Sequence, residues 1–443
     1  SLRGSLQMKK SKKGTISRAA FTWALLSLGG TAAWADDLAQ LPAAPPPPAP
    51  PAATPPAGAP AVGAPPGAAA APAPAPAAPT SPLIAPSITG PLTIQLPPPK
   101  YTIGPLGDIY VDGIASGLYQ WQSNPVPNVL PGNNRNVGGI DNGQVFVQKT
   151  DGLFQFYAQA GAYSITSLGA PYITTQLATW GQNSPSGNLW GWFPQGFAKI
   201  VPSDNFSIEA GKLPTLIGAE YTFSFENINI ERGLLWNQEP AVSKGAQANY
   251  TLGPVAASLS FTDGFDSGVW NWLTGAVTYT LNPANSFEFV GGGNLGLTKE
   301  NTLRAPILQN NSQIYNLIYT YNADPWIIQP YFQATHVQGN DFYGPGASTI
   351  GGAVLVNYDL GSGFNLGGRL EYIGSNGANN LLYGPGSGAF SFTFTPTYQY
   401  RYFFARGEVS FVKANSITDG LAFGSNGTAT TQTRLLVETG ILF

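Results

Sequence analysis

Charged side chains carry whatever chemistry this chain can perform, because its 443 residues include no cysteine and a single histidine, His336. Those absences exclude Cys/His zinc sites, thiol catalysis and disulfide scaffolds. His336 lies in an alternating segment and reads as a structural residue; a hydrolase would have to pair it with a nearby Ser or Thr. No catalytic residue, metal site or cofactor is nominated. The densest group of charges is Glu220, Glu226, Glu231, Arg232 and Glu239 within residues 218–243, followed by Lys244. In a narrow, partly desolvated passage such an excess of carboxylates raises the local concentration of counter-ions and predicts a mild cation preference. The alternative is a solvated loop in which the same charges select nothing. A second set, Glu209, Glu288, Arg369, Glu371, Arg406, Glu408, Arg434 and Glu438, alternates along the chain with apolar residues, so that each segment has one charged and one greasy face.

The elements that must present these groups are strands. Only 10% of residues are charged, against roughly 25% in an ordinary soluble domain, while 43% are hydrophobic and 12% aromatic. Too little charge is available to cover a water-facing surface. Beyond residue 40 no run of about 18 apolar, proline-free residues could cross a bilayer as a helix. From residue 107 the sequence instead becomes a series of alternating segments near 107–121, 141–149, 152–166, 192–201, 205–217, 244–252, 255–263, 272–281, 286–296, 312–322, 326–337, 348–360, 364–375, 389–399, 402–413 and 430–443. Short turns at 150–152, 202–205, 253–254, 282–285, 322–325, 361–363 and 400–401 alternate with longer loops at 122–140, 167–191, 218–243, 264–271, 297–311, 338–347, 376–388 and 414–429. An even strand count with short periplasmic turns and long extracellular loops predicts an all-β fold, a transmembrane antiparallel up-and-down β-barrel of sixteen strands over residues 101–443.

Side-chain parity agrees with lipid outside and water inside. Phe390, Phe392 and Phe394 alternate with Ser391, Thr393 and Thr395, and the second set of charges falls on the lumen parity, where it either meets solute or only pairs across strands. In the last strand Leu435, Val437, Ile441 and Phe443 share one face, and an apolar row ending in a C-terminal Phe resembles the signal read by the barrel assembly machinery. Lys212 breaks the rule by falling on the lipid parity, which calls for a bulge at Gly211 or a position near the membrane interface. Asp112, Lys149 and Lys199 take no face from the pattern. Trp180, Trp190, Trp192, Trp236, Trp270 and Trp272 lie in or beside long loops, as an outer aromatic girdle or a sugar-stacking track would require.

Ahead of the barrel, residues 1–35 read as a secretory signal with an upstream extension at 1–7. Lys9, Lys10, Lys12, Lys13 and Arg18 precede the apolar run from Ala19 to Leu28, and Ala33-Trp34-Ala35 forms the cleavage site. Its removal leaves 14 Lys+Arg against 23 Asp+Glu, a net charge of −9, which suits no nucleic-acid partner. Residues 36–100 read as a disordered Pro/Ala-rich spacer: 22 of the 40 prolines lie in 41–100 with one charged residue, Lys100. It is either a plain leader or a tether towards peptidoglycan.

The run Pro202-Ser203-Asp204-Asn205, then Glu209-Ala210-Gly211-Lys212-Leu213-Pro214, Leu216-Ile217-Gly218-Ala219-Glu220, Asn227-Ile228-Asn229-Ile230-Glu231-Arg232-Gly233-Leu234-Leu235 and Gly245-x-x-Ala248-x-Tyr250 resembles the putative β-barrel porin-2 family, the OmpL-like outer-membrane proteins. The resemblance covers about residues 105–443 and implies a passive channel with no settled solute and no catalytic residues. The expected function is therefore diffusion of small polar solutes and ions across a bacterial outer membrane, with outer-membrane lipid, lipopolysaccharide and the assembly machinery as partners. A homotrimer is expected by analogy with diffusion porins. A sugar-preferring channel, or a barrel that merely anchors the proline-rich tether, is the alternative.

Overall fold

The computed structural model describes residues 85–87, 90–127, 134–173 and 189–443. The expected signal peptide, the spacer up to residue 84 and Trp180 lie outside them. A three-residue strand, β1 (Lys100–Thr102), pairs with the first of sixteen wall strands. The wall comprises β2 (Asp108–Gln122), β3 (Asn136–Lys149), β4 (Phe154–Tyr163), β5 (Gln195–Ser203), β6 (Phe206–Pro214), β7 (Val242–Leu252), β8 (Val255–Thr262) and β9 (Trp272–Asn282). It continues through β10 (Asn285–Asn294), β11 (Ser312–Ala323), β12 (Trp326–Val337), β13 (Ala347–Gly361), β14 (Phe364–Gly377), β15 (Gly388–Tyr400), β16 (Phe403–Asn415) and β17 (Thr431–Leu442). Each is antiparallel to the next, and β17 returns to β2 with Leu435 opposite Trp121 and Ile441 opposite Ala115. Closure follows from the solvent: an unpaired N–H or C=O facing hydrocarbon costs several kcal/mol, and a closed sheet has no edge.

The alternation holds in three dimensions. Phe390, Phe392 and Phe394 are exposed on the outer face of β15 while Ser391, Thr393 and Thr395 are buried inside. On β17, Leu435, Val437 and Ile441 point out; Gln432, Arg434 and Glu438 point in. Lys212 keeps its row without a bulge, opposite Gly196 and Lys244. Its ammonium donates to the Trp190 carbonyl (2.5 Å) and lies 3.8 Å from Asp266, both in long loops, so an interfacial position accommodates the charge. Lys149 pairs with Asp151 beside a short turn, whereas Lys199 and Asp112 face inward.

Three departures from the expected boundaries matter. First, β3 begins at Asn136 because its register jumps from Ser116↔Asn142 to Gly117↔Ile140, leaving Asp141 as the extra residue of a bulge that turns its side chain inward. Second, β4 stops at Tyr163: residues 164–173 leave the wall, Ile165 bridging Ile173 and Ser167 bridging Arg232. Third, the tryptophans do not form one girdle. Trp192 and Trp270 are exposed, but Trp190 stacks on Tyr163, Trp272 packs edge-on against Phe265, and Trp236 lies under Arg232, all three buried. Loop packing claims those rings. An aromatic belt occurs at the opposite, short-turn end, where the cross-strand pairs Phe287–Tyr319, Trp326–Tyr358 and Phe364–Tyr398 bring ring centres within 4.4–4.9 Å.

Candidate functional site

Residues 218–243 enter the barrel instead of leaving it. Two short 3-10 turns, Ser224–Glu226 and Trp236–Gln238, interrupt an otherwise irregular backbone, so its N–H and C=O groups need partners from outside the loop. Inward-facing side chains of the wall supply them. Glu408 accepts the N–H groups of Ile230 (2.6 Å) and Glu231 (3.0 Å), and Glu371 accepts those of Leu234 and Leu235 (both 2.7 Å). Arg406 donates to the carbonyls of Ser224, Asn227 and Ile228 at 2.9–3.0 Å. Glu438 stands 3.5 Å from Arg406.

Ion pairs complete the attachment. Arg369 meets Glu220 at 2.5 Å and donates to the Glu231 carbonyl (2.7 Å). Arg434 meets Glu231 at 2.5 Å, and that carboxylate also accepts from the hydroxyls of Thr166 (3.1 Å) and Ser410 (2.6 Å). A fully desolvated guanidinium needs this degree of pairing, since burying a charge alone costs far more than any single hydrogen bond returns. Five wall charges on β14, β16 and β17, Arg369, Glu371, Arg406, Glu408 and Arg434, thus hold the loop, with Glu438 beside Arg406, a role that cross-strand pairing did not foresee.

The group includes residues that sequence reasoning missed. Asp141, aimed inward by its bulge, accepts from the hydroxyls of Ser164 and Ser224 and the amide of Asn142. The break in alternation at residues 140–142 was its only sequence signal. Residues 164–173 lie on the loop as well, with the Leu168 N–H donating to Arg232 O (2.9 Å).

Other nominated residues stand apart. Glu209 lies 3.4 Å from Lys199 and accepts from Gln247, and Glu288 is half-buried, both on the wall opposite the loop's attachment. Lys244 does not join the loop carboxylates. It falls on the outward row of β7 with Ala246 and Tyr250, and pairs with Asp266 (2.6 Å) and Asp263 (3.3 Å) in a long loop. His336 is exposed on the outer row of β12, 2.9 Å from Ser348 Oγ.

The loop carboxyls are not equivalent. Burial pushes Glu226 up to about 8, although the N–H groups of Phe223 (2.9 Å) and Ser87 (3.2 Å) oppose the shift. Burial likewise raises Glu220, against the pull of Arg369, and holds Glu239 well above the usual carboxylate range with Glu220 and Glu371 adding repulsion. Glu239 packs so tightly on Gly218 (φ 88°) that a Cβ there has no room. Glu226 is therefore mainly protonated at neutral pH, and the four carboxylates do not act as four equal charges.

The model of the putative beta-barrel porin-2, OmpL-like family matches residues 108–443. No match was found among curated proteins. Among solved structures, an anion-selective porin from Comamonas acidovorans is similar at a TM-score of 0.52 and 11% identity, covering 76% of this chain and 99% of that one. OmpT of Vibrio cholerae aligns at a TM-score of 0.50 and 11% identity over 76% and 98% of the two chains. Salmonella typhi OmpF, in complex with daunomycin, aligns at 0.50 and 10% over 76% and 98%. At such identities these likenesses speak to fold alone.

Proposed function

The chain belongs to the putative beta-barrel porin-2, OmpL-like family and is a porin-like barrel of the bacterial outer membrane, and on that premise we propose that it is a passive channel for small polar solutes with a mild cation preference. One observation carries the reading: the charged anchors of the loop all lie on one side of the lumen. They sit on β14, β16 and β17; Asn316 on β11, Gln333 on β12 and Asn142 on β3 add only neutral hydrogen bonds, and the inward side chains Lys199, Asn249, Ser258, Glu288, Thr320 and Gln329 remain half-exposed. The passage runs between the loop and that polar wall, and needs neither cofactor nor energy source. Acids exceed bases around the loop, which favours cations. A sugar-stacking track is less well supported, because Trp190 and Trp236 are packed into loops.

Single-channel recordings in planar bilayers under a salt gradient test the proposal. Ohmic steps with a cation-side reversal potential are expected. Glu231→Gln leaves Arg434 without its counter-ion and shifts the reversal potential towards anions; an unchanged potential would place the selectivity elsewhere. The pH dependence has a definite sign. Glu226 gains its charge as pH rises through about 8, so cation preference should climb between pH 7 and 9, and Glu226→Gln should flatten that climb while leaving the pH 7 value unaltered. Reversal potentials measured across this range decide it.

A further inference from the structure

The inner face is not polar throughout. At the short-turn end Ile114, Phe146, Tyr157, Phe404 and Leu442 are buried in one cluster inside the wall, an arrangement that costs free energy in a wetted pore unless something covers it. Part of the cover is the loop, whose Phe225 ring lies 5.7 Å from that of Phe146. The rest is the chain that precedes the barrel: Ala85, Leu92 and Ile94 pack into the same cluster, and Leu92 has no exposed surface.

Polar groups fix this segment at both ends. Gln148 on β3 donates to the carbonyl of Ala85 (2.7 Å) and accepts its N–H (3.4 Å). Gln399 on β15 treats Thr93 in the same way, at 2.7 and 2.8 Å. A carboxamide offers one acceptor and paired donors, so each glutamine matches a backbone N–H and C=O as a neighbouring strand would. Gln95 accepts the N–H of Arg401 at the turn after β15 (2.8 Å). Between these clamps the segment touches the loop: the Ser87 N–H reaches Glu226, and Gly90 lies so close to Asn227 that a Cβ would stand 2.5 Å from its carbonyl oxygen. The segment also carries no charge of its own, as residence on an apolar patch requires.

We infer that residues 85–87 and 90–95 are a built-in plug that occupies the periplasmic mouth of the lumen and braces residues 224–228 from below, so that its displacement widens the passage. The end of the expected spacer is thereby an internal part of the barrel. This inference rests on the channel reading, and the test separates the two. The full mature chain, a Gln148→Ala/Gln399→Ala variant and a chain lacking residues 85–95 are compared in planar bilayers. In parallel, maleimide labelling of Leu92→Cys, in a protein with no native cysteine, is followed in the parent and in the double variant.

A several-fold larger conductance in both altered chains, with Leu92→Cys protected in the parent and labelled once the clamps are gone, is the expected result. Conducting proteins with equal step sizes would overturn the plug, as would equal labelling in both backgrounds. Silence from all three proteins would overturn the channel reading instead, and the labelling contrast would still decide whether the segment is docked. Heat-modifiable electrophoretic mobility identifies any variant that fails to fold; for such a variant the labelling of the parent alone is decisive, because ready modification of Leu92→Cys contradicts the docked plug.

Discussion

Replacing Glu371 and Glu408 together by alanine is expected to loosen residues 230–235, which Arg369, Arg434 and Gln333 then hold only at Glu231 and Leu235, and to raise single-channel conductance. These two carboxylates accept four consecutive-pair N–H bonds from the loop, at 2.6–3.0 Å. Each such bond to a charged group contributes about 1.5–3 kcal/mol where water is excluded, and no other wall group accepts from those N–H groups in the described residues. The choice of glutamates over arginines is deliberate. Arg369 retains Glu220 and Arg406 retains Glu438, so the double variant strands no guanidinium and the barrel should still fold. Water entering the widened lumen satisfies the freed N–H groups. Glutamine at both positions keeps one acceptor per side chain and should give an intermediate conductance. A folded alanine variant with parental conductance would show that the loop does not limit the passage.

Deleting Phe443 should abolish most outer-membrane assembly, with unfolded chain accumulating in the periplasm. Two roles converge on this residue. It ends the outward row of Leu435, Val437 and Ile441, and its backbone closes the seam between the last strand and the first, donating to Gly113 O (3.0 Å) and accepting from Gly113 N (2.8 Å). The ring covers Gly113 so closely that a Cβ there would lie 2.7 Å from Cζ. Cell fractionation and heat-modifiable mobility measure the effect in cells, and refolding into detergent micelles separates the roles. A deletion that refolds in micelles but does not assemble in cells assigns the residue to recognition by the assembly machinery. One that fails in both assigns it to the seam, and normal assembly in cells would remove both roles.

The strands were legible because their cause is local. A residue on a barrel wall faces either lipid or lumen, so a period of two is imposed along every strand, and the count, turns and faces follow from the chain order alone. Phe390, Phe392 and Phe394 against Ser391, Thr393 and Thr395 needed no partner to be read. Legibility failed wherever one residue's role depended on another far away in sequence. Glu371 and Glu408 looked like a lumen lining, yet they bind backbone groups some 136–178 positions distant. Asp141 was hidden by a bulge, Lys244 by a parity that only the true start of β7 reveals, and residues 85–95 by a composition that gave no hint of Gln148 or Gln399.

By itself, then, the sequence determined a closed sixteen-strand barrel with an apolar belt, a charged interior and an acidic loop, since solvent on the two faces dictates each of these residue by residue. Only the tertiary structure decided that the loop turns inward, which charges hold it, and what covers the apolar inner patch. Hydrogen bonds to irregular backbone and contacts across the lumen have no period along the chain, and they exist only once the wall has closed and brought both partners together.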